Sequence, residues 1–253
     1  MANSPTGDSV LARLDRVLAT FSAADSLLTA AEISRRTGLP PATAHRLCRD
    51  MAELGWLESL PAGYMVGTRL WEMTNRSAPT MKLAVRARPY LSDVHAVMGQ
   101  HVQLGVVEGH EVLFVDRLSA REAPRIHGGV AGRLPLHVSA TGIVLLAHAS
   151  AEFRTFYRTH HTEQTPQGPA MIAEERLEHV RQQGYCAQTG VIEPGVTGVA
   201  VPIRQRGRSV VAALGVVTDD DDVARRPAPW VQMLQIAARG IQREVSSREA
   251  DTR

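Results

Sequence analysis

The stretch TAAEISRRTGLPPATAHRL, residues 29–47, decides how the N-terminal part of the chain folds. Thr29 followed three places later by Glu32 is a capping-box start, in which hydroxyl and carboxylate each satisfy an amide that the helix leaves unpaired. Gly38 ends that helix after about two turns, because glycine accepts the left-handed backbone of a helix stop. Pro40 and Pro41 then open a second helix, where a missing N–H does no harm, and Ala44, Leu47, Met51 and Leu54 give it an apolar face as far as Gly55. Two helices across a tight turn form a helix-turn-helix.

Outward from this motif, Val10, Leu11, Leu14, Val17, Leu18 and Phe21 recur at helical spacing and predict a preceding amphipathic helix that ends near Ala24. On the other side, Trp56 to Ser59 and Tyr64 to Gly67 read as short strands joined by a turn at Pro61 and Gly63. Three helices and a two-stranded wing make a winged helix-turn-helix, whose second motif helix enters the major groove of DNA. Thr43, Ala44, His45 and Arg46, at the start of that helix, are expected against base edges and backbone. Gly63 and Tyr64 of the wing, with Arg35, Arg36, Arg49 and Arg69, are expected at phosphates. Residues 1–80 hold eight arginines against eight acidic residues, so a DNA-binding face must come from placement and not from total charge.

The whole chain has 253 residues, 44% of them hydrophobic, and a net charge of +2, which excludes a disordered or strongly charged chain. No apolar run approaches the eighteen or so residues of a membrane span, and Met1 to Ser9 lacks a signal-peptide pattern, so a cytoplasmic protein without membrane contact is expected. Cys48 and Cys186 are too few for a disulfide scaffold and lack metal-site spacing; both are read as small buried residues. After the wing, Leu70 to Asn75 and Lys82 to Met98 read as helices interrupted at Pro79. Strand patterns follow at Val102 to Val106, Val112 to Arg117, Leu134 to Val138, Val199 to Arg204 and Ser209 to Val217. Helices are expected at Ser139 to Ala149, Glu152 to Thr159, Ala173 to Gln183 and around Trp230 to Val245. The class is α+β, with a DNA-binding domain over residues 1–78, a linker helix over 79–98, and a third region over 99–253 built on an antiparallel sheet covered by helices.

Catalytic signatures are missing: there is no GxSxG, GxGxxG, P-loop, HExxH or paired CxxC. His137 with Ser139, the neighbours His160 and His161, and the acidic run at Asp219 to Asp222 do not complete a catalytic or metal-binding set, so neither an enzyme nor a bound cofactor is expected. The alternative is a small-molecule sensor or enzyme whose helix-turn-helix contacts protein.

Several segments in order resemble the IclR family of bacterial transcriptional regulators: ISRRTGLP at 33–40, HRL at 45–47, GRLPLHVSATG at 132–142, RQQGY at 181–185 and GVTGVAVP at 195–202. The resemblance spans nearly the whole chain. It implies a winged helix-turn-helix, a GAF-like effector domain, assembly into dimers or tetramers, and repression or activation controlled by a small molecule, of which repression is the expectation for this chain. Pro41, Ala42 and Ile143 stand where the family often has lysine, serine and lysine. The resemblance also implies an effector pocket formed by Ile126, Ala140, Thr141, Gly142, Val196, Gly198, Gly215 and Val217. Amides of Ala140 and Thr141 at a helix start would hold a carboxylate. Glycines and valine at positions where relatives carry cysteine and serine point to a larger, less polar acid than a two- or three-carbon keto acid, such as an aromatic one.

Overall fold

The computed structural model describes residues 8–22, 24–120, 130–161, 168–205, 209–220 and 222–247. Two compact units divide at Ala78 and Pro79.

In the first unit, α1 (Val10–Leu18), α2 (Ala30–Thr37) and α3 (Pro41–Glu53) precede a hairpin of β1 (Leu57–Leu60) and β2 (Gly63–Val66), followed by α4 (Thr68–Ser77). The capping box forms as expected, with Glu32 accepting from the Thr29 amide at 2.8 Å while the Thr29 hydroxyl accepts from the Glu32 amide. Gly38 stops α2 in the left-handed region at φ 69°. Helix α1 ends at Leu18 and not near Ala24. The Thr20 hydroxyl donates to the Val17 carbonyl and Ser22 and Asp25 close a turn, yet Phe21 still packs on the core, so its apolar spacing mimics a longer helix. Val17, Leu28, Ile33, Ala44, Leu47, Cys48, Met51 and Leu57 close this core.

The second unit contains α5 (Pro79–Met98), β3 (His101–Glu108), β4 (Glu111–Leu118), β5 (Arg133–Pro135), a single 3-10 turn (Leu136–Val138), α6 (Ala140–Ala147), α7 (Ala151–His160), α8 (Gly168–Met171), α9 (Glu174–Gln183), β6 (Cys186–Thr189), β7 (Thr197–Arg204), β8 (Val210–Thr218), α10 (Asp222–Arg225) and α11 (Ala228–Ser247). Its six strands lie in the order β5-β4-β3-β8-β7-β6, every neighbouring pair antiparallel. Helices cover both faces. Ala87, Leu91 and Val94 of α5, with Leu234, Ala238 and Ile241 of α11, pack on one face. Ile143, Leu146, Tyr157, Leu177 and Val180, from α6, α7 and α9, pack on the other. Helix α6 is buried along its entire length, which is the position of a helix apolar on all sides.

Candidate functional site

In the first unit, α3 is held by its buried face, and the Ser34 hydroxyl donates to the Leu39 carbonyl at 2.7 Å, fixing the turn that aims the helix. His45, Arg46 and Arg49 are exposed on the opposite face and Thr43 is half-buried beside them. Ala44 is 0% exposed and packs in the helical core, which corrects its expected place at the DNA surface: helical periodicity turns it inward with Leu47 and Cys48.

The arginines divide by partner. Arg36 pairs with Asp25, Arg49 lies against Asp50 and Glu53, and Arg69 pairs with Glu72. Arg35 and Arg46 are exposed and enter no ion pair among the described residues. In the wing, Tyr64 exchanges both backbone hydrogen bonds with Leu28 and its ring packs on the core. A Cβ on Gly63 would lie 2.6 Å from the Leu28 carbonyl oxygen, so this glycine permits the close approach of two backbones.

The second unit holds a cavity of about 580 Å³, its open mouth included, between the start of α6, the sheet and the 190–196 loop. Five of the expected residues meet there: Ala140, Thr141, Val196, Gly198 and Val217. A Cβ on Gly198 would sit 3.3 Å from the Ala140 Cβ, and one on Gly215 would sit 2.6 Å from the Thr141 hydroxyl oxygen. Bare backbone at these two positions lets the first turn of α6 lie directly on the sheet. Two expected residues do not line the cavity. Gly215 is floor beneath Thr141, and Gly142 backs onto Leu136, with its amide already donating to the Ser139 hydroxyl. Ile126 lies outside the described residues. Ala140 and Thr141, whose first-turn amides helix geometry leaves without an intrahelical acceptor, line this cavity.

Four polar lining residues escaped the sequence reading: Gln103, Arg117, Gln188 and Glu193. Gln103 donates to the Thr141 hydroxyl at 3.5 Å, and Gln188 donates to the Val138 carbonyl while accepting from Arg176. Burial lowers the pKa of Arg117. Cys48 and Cys186 are buried thiols, each pushed up to about 11 by desolvation, and so poor nucleophiles. His137 bonds through Nδ1 to the Tyr157 hydroxyl at 2.9 Å, away from the cavity lining. Among the described residues, no three His, Cys, Asp or Glu side chains converge as a metal site.

The model of the IclR helix-turn-helix domain matches residues 10–61, and that of the bacterial transcriptional regulator IclR C-terminal domain matches residues 76–243. An IclR homologue from Microbacterium hydrocarbonoxydans, solved in complex with 4-hydroxybenzoate, is 39% identical with a TM-score of 0.83, over 92% of this chain and 98% of that one. The HTH-type transcriptional regulator BhcR of Paracoccus denitrificans is 30% identical over 212 residues, covering 80% of this chain and 76% of its own. XynR of Escherichia coli, another HTH-type transcriptional regulator, is 27% identical over 222 residues, covering 83% of this chain and 87% of its own. With a family model spanning most of its length and both units accounted for, the chain belongs to the IclR family of bacterial transcriptional regulators.

Proposed function

We propose that this IclR-family protein is a cytoplasmic repressor, without enzymatic activity, whose operator binding is controlled by a small organic acid, aromatic in character, held in the cavity at the start of α6. The observation that carries this reading is the cavity itself, which brings the first residues of α6, Ala140 and Thr141, together with an apolar surround of Val196 and Val217. The bound 4-hydroxybenzoate of the Microbacterium homologue supports the ligand class. On the DNA side, Arg46 reads base edges with Thr43 and His45, and Arg35 meets phosphate, because these side chains are available on or beside the recognition helix. Assembly as a dimer or tetramer would present two recognition helices to repeated half-sites.

The test is fluorescence anisotropy with duplexes tiling the gene's upstream region, at two salt concentrations, with and without benzoate or 4-hydroxybenzoate. One duplex is expected to bind tightly with a steep salt dependence, and one of the acids is expected to change that affinity. Arg46→Ala is expected to weaken binding by about 5- to 150-fold, the equivalent of about 1–3 kcal/mol for a base contact. Equal weak binding to every duplex, unaffected by Arg46→Ala, would favour the alternative in which the helix-turn-helix contacts protein.

A further inference from the structure

The ladder between β3 and β4 is interrupted once. Gly105 lies opposite Phe114 while Leu104 lies opposite Asp116, so Val115 is an extra residue, a β-bulge. Ahead of it, Val112 and Phe114 point to the α6 side and Leu113 and Val115 to the α5 side. Beyond it the alternation is reversed. Asp116 faces α5, where it pairs with Arg88, and Leu118 joins the same core. Arg117, directly opposite Gln103, is thereby turned into the cavity. In a regular strand Asp116 would have taken that place.

The bulge thus puts a cation where it has little compensation. The Arg117 Nε is buried and has no hydrogen-bond partner among the described residues. The acid beside it in sequence is committed to Arg88 on the other face of the sheet. Glu193, which also lines the cavity, is exposed on its loop, and Arg117 forms no ion pair among the described residues. A guanidinium offers five donors and is costly to bury without acceptors; Arg117 is half-buried, its Nε is the donor left without an acceptor, and an anion entering the cavity would meet the guanidinium there. Arg117, Gln103 and Gly215 form one row across β4, β3 and β8, and Thr141 at the start of α6 lies over Gly215. With strands about 4.8 Å apart, the row places Arg117 about 10 Å along the floor from the helix-start amides, within reach of one small ligand touching both. The lowering of the Arg117 pKa by burial agrees with a site from which water is partly excluded.

We infer that Arg117 is the charge partner of the effector's carboxylate and that the cavity selects apolar monocarboxylates over their neutral analogues. This rests on the effector reading above and adds to it the residue that supplies a full charge, where the helix-start amides supply partial ones. One cation with Glu193 at the rim also disfavours dianions.

Isothermal titration of the full-length protein with 4-hydroxybenzoate, its methyl ester, benzamide and terephthalate tests the inference, alongside Arg117→Met and Arg117→Lys. Wild type is expected to bind 4-hydroxybenzoate at least tenfold more tightly than the ester. Arg117→Met is expected to cut that preference several-fold, to what the helix-start amides alone supply, with little change in the weak binding of the ester and benzamide, and Arg117→Lys to restore part of it. Thermal melts without ligand verify folding and are expected to show Arg117→Met no less stable than wild type; should it fail to fold, the acid-to-ester ratio in wild type and Arg117→Lys decides. Equal binding of the acid by wild type and a folded Arg117→Met, or no acid-to-ester preference in wild type, overturns the assignment of Arg117 alone. No uptake of any of the four compounds by wild type overturns the effector reading itself.

Discussion

Replacing Gly142 by alanine sets two opposing effects against each other. Gly142 is the third residue of α6, and alanine there would favour the helix by up to about 1 kcal/mol. The added Cβ would lie 2.2 Å from the Leu136 carbonyl oxygen, 2.7 Å from its Cα and 2.8 Å from its carbonyl carbon. All three are backbone atoms of a buried turn, so no rotamer change relieves the contact. Restoring an ordinary carbon–oxygen separation of about 3.3 Å requires a shift of about 1 Å between the turn and a wholly buried helix. Overpacking of a well-filled core costs typically 1–3 kcal/mol, and a radial gap of that size also forfeits part of the dispersion energy on the helix's far side. Contacts this short to backbone put the cost at the upper end, about 3 kcal/mol, and subtracting up to about 1 kcal/mol of propensity leaves a net loss of about 2–3 kcal/mol and a fall in Tm of about 4–12 °C for a unit of this size. Thermal unfolding followed by circular dichroism measures it. A Tm equal to or above that of wild type would mean that propensity wins and would refute the close approach of α6 to the 3-10 turn.

Acid should weaken the second unit. His137 is fully buried and His148 half-buried, and burial is the main cause holding the pKa of each below the ordinary 6.5. The unfolded chain therefore takes up protons first, so stability is complete above pH 6.5 and falls as pH drops below it, with a slope of up to about 1.36 kcal/mol per pH unit from His137. Melts between pH 7.5 and 5.5 that show no decline would contradict this. Tyr157→Phe removes the partner of the His137 Nδ1 in a site where the Nε2 has none among the described residues, and is expected to cost about 1–3 kcal/mol in urea unfolding at pH 7.5. A change below about 0.3 kcal/mol would place that hydrogen bond among the negligible ones.

The winged helix-turn-helix was legible because its signals are local: a capping box, a left-handed glycine and a proline-led helix each act within a few residues. The cavity was half legible. Ala140, Thr141, Val196, Gly198 and Val217 came through family resemblance, whereas Gln103 and Arg117 were missed. In β3 the alternation of Val102, Leu104 and Val106 reads as one buried face and one wet face, but every residue from His101 to Val106 is buried because α6 covers the second face. That cover comes from far along the chain and leaves no mark within the strand. Nor does a bulge, which depends on the partner strand, announce itself at Val115. The four-residue β6, Cys186 to Thr189, escaped because its inward residues are Cys186 and Gln188, and a buried glutamine looks like loop in a hydrophobicity pattern.

The strand order places β8, the last strand to be synthesised, in the middle of the sheet, between β3 and β7. Until the ribosome has released residues 210–218, the β3–β4 and β6–β7 hairpins have no shared neighbour, and each presents an open edge. The pairing that joins them links positions as remote as Gln103 and Gly215, so closing the sheet carries a large loop-closure cost. A nascent chain that stalls or is truncated before β8 would carry two sticky half-sheets and no completed ligand cavity, a form suited to aggregation and to capture by chaperones.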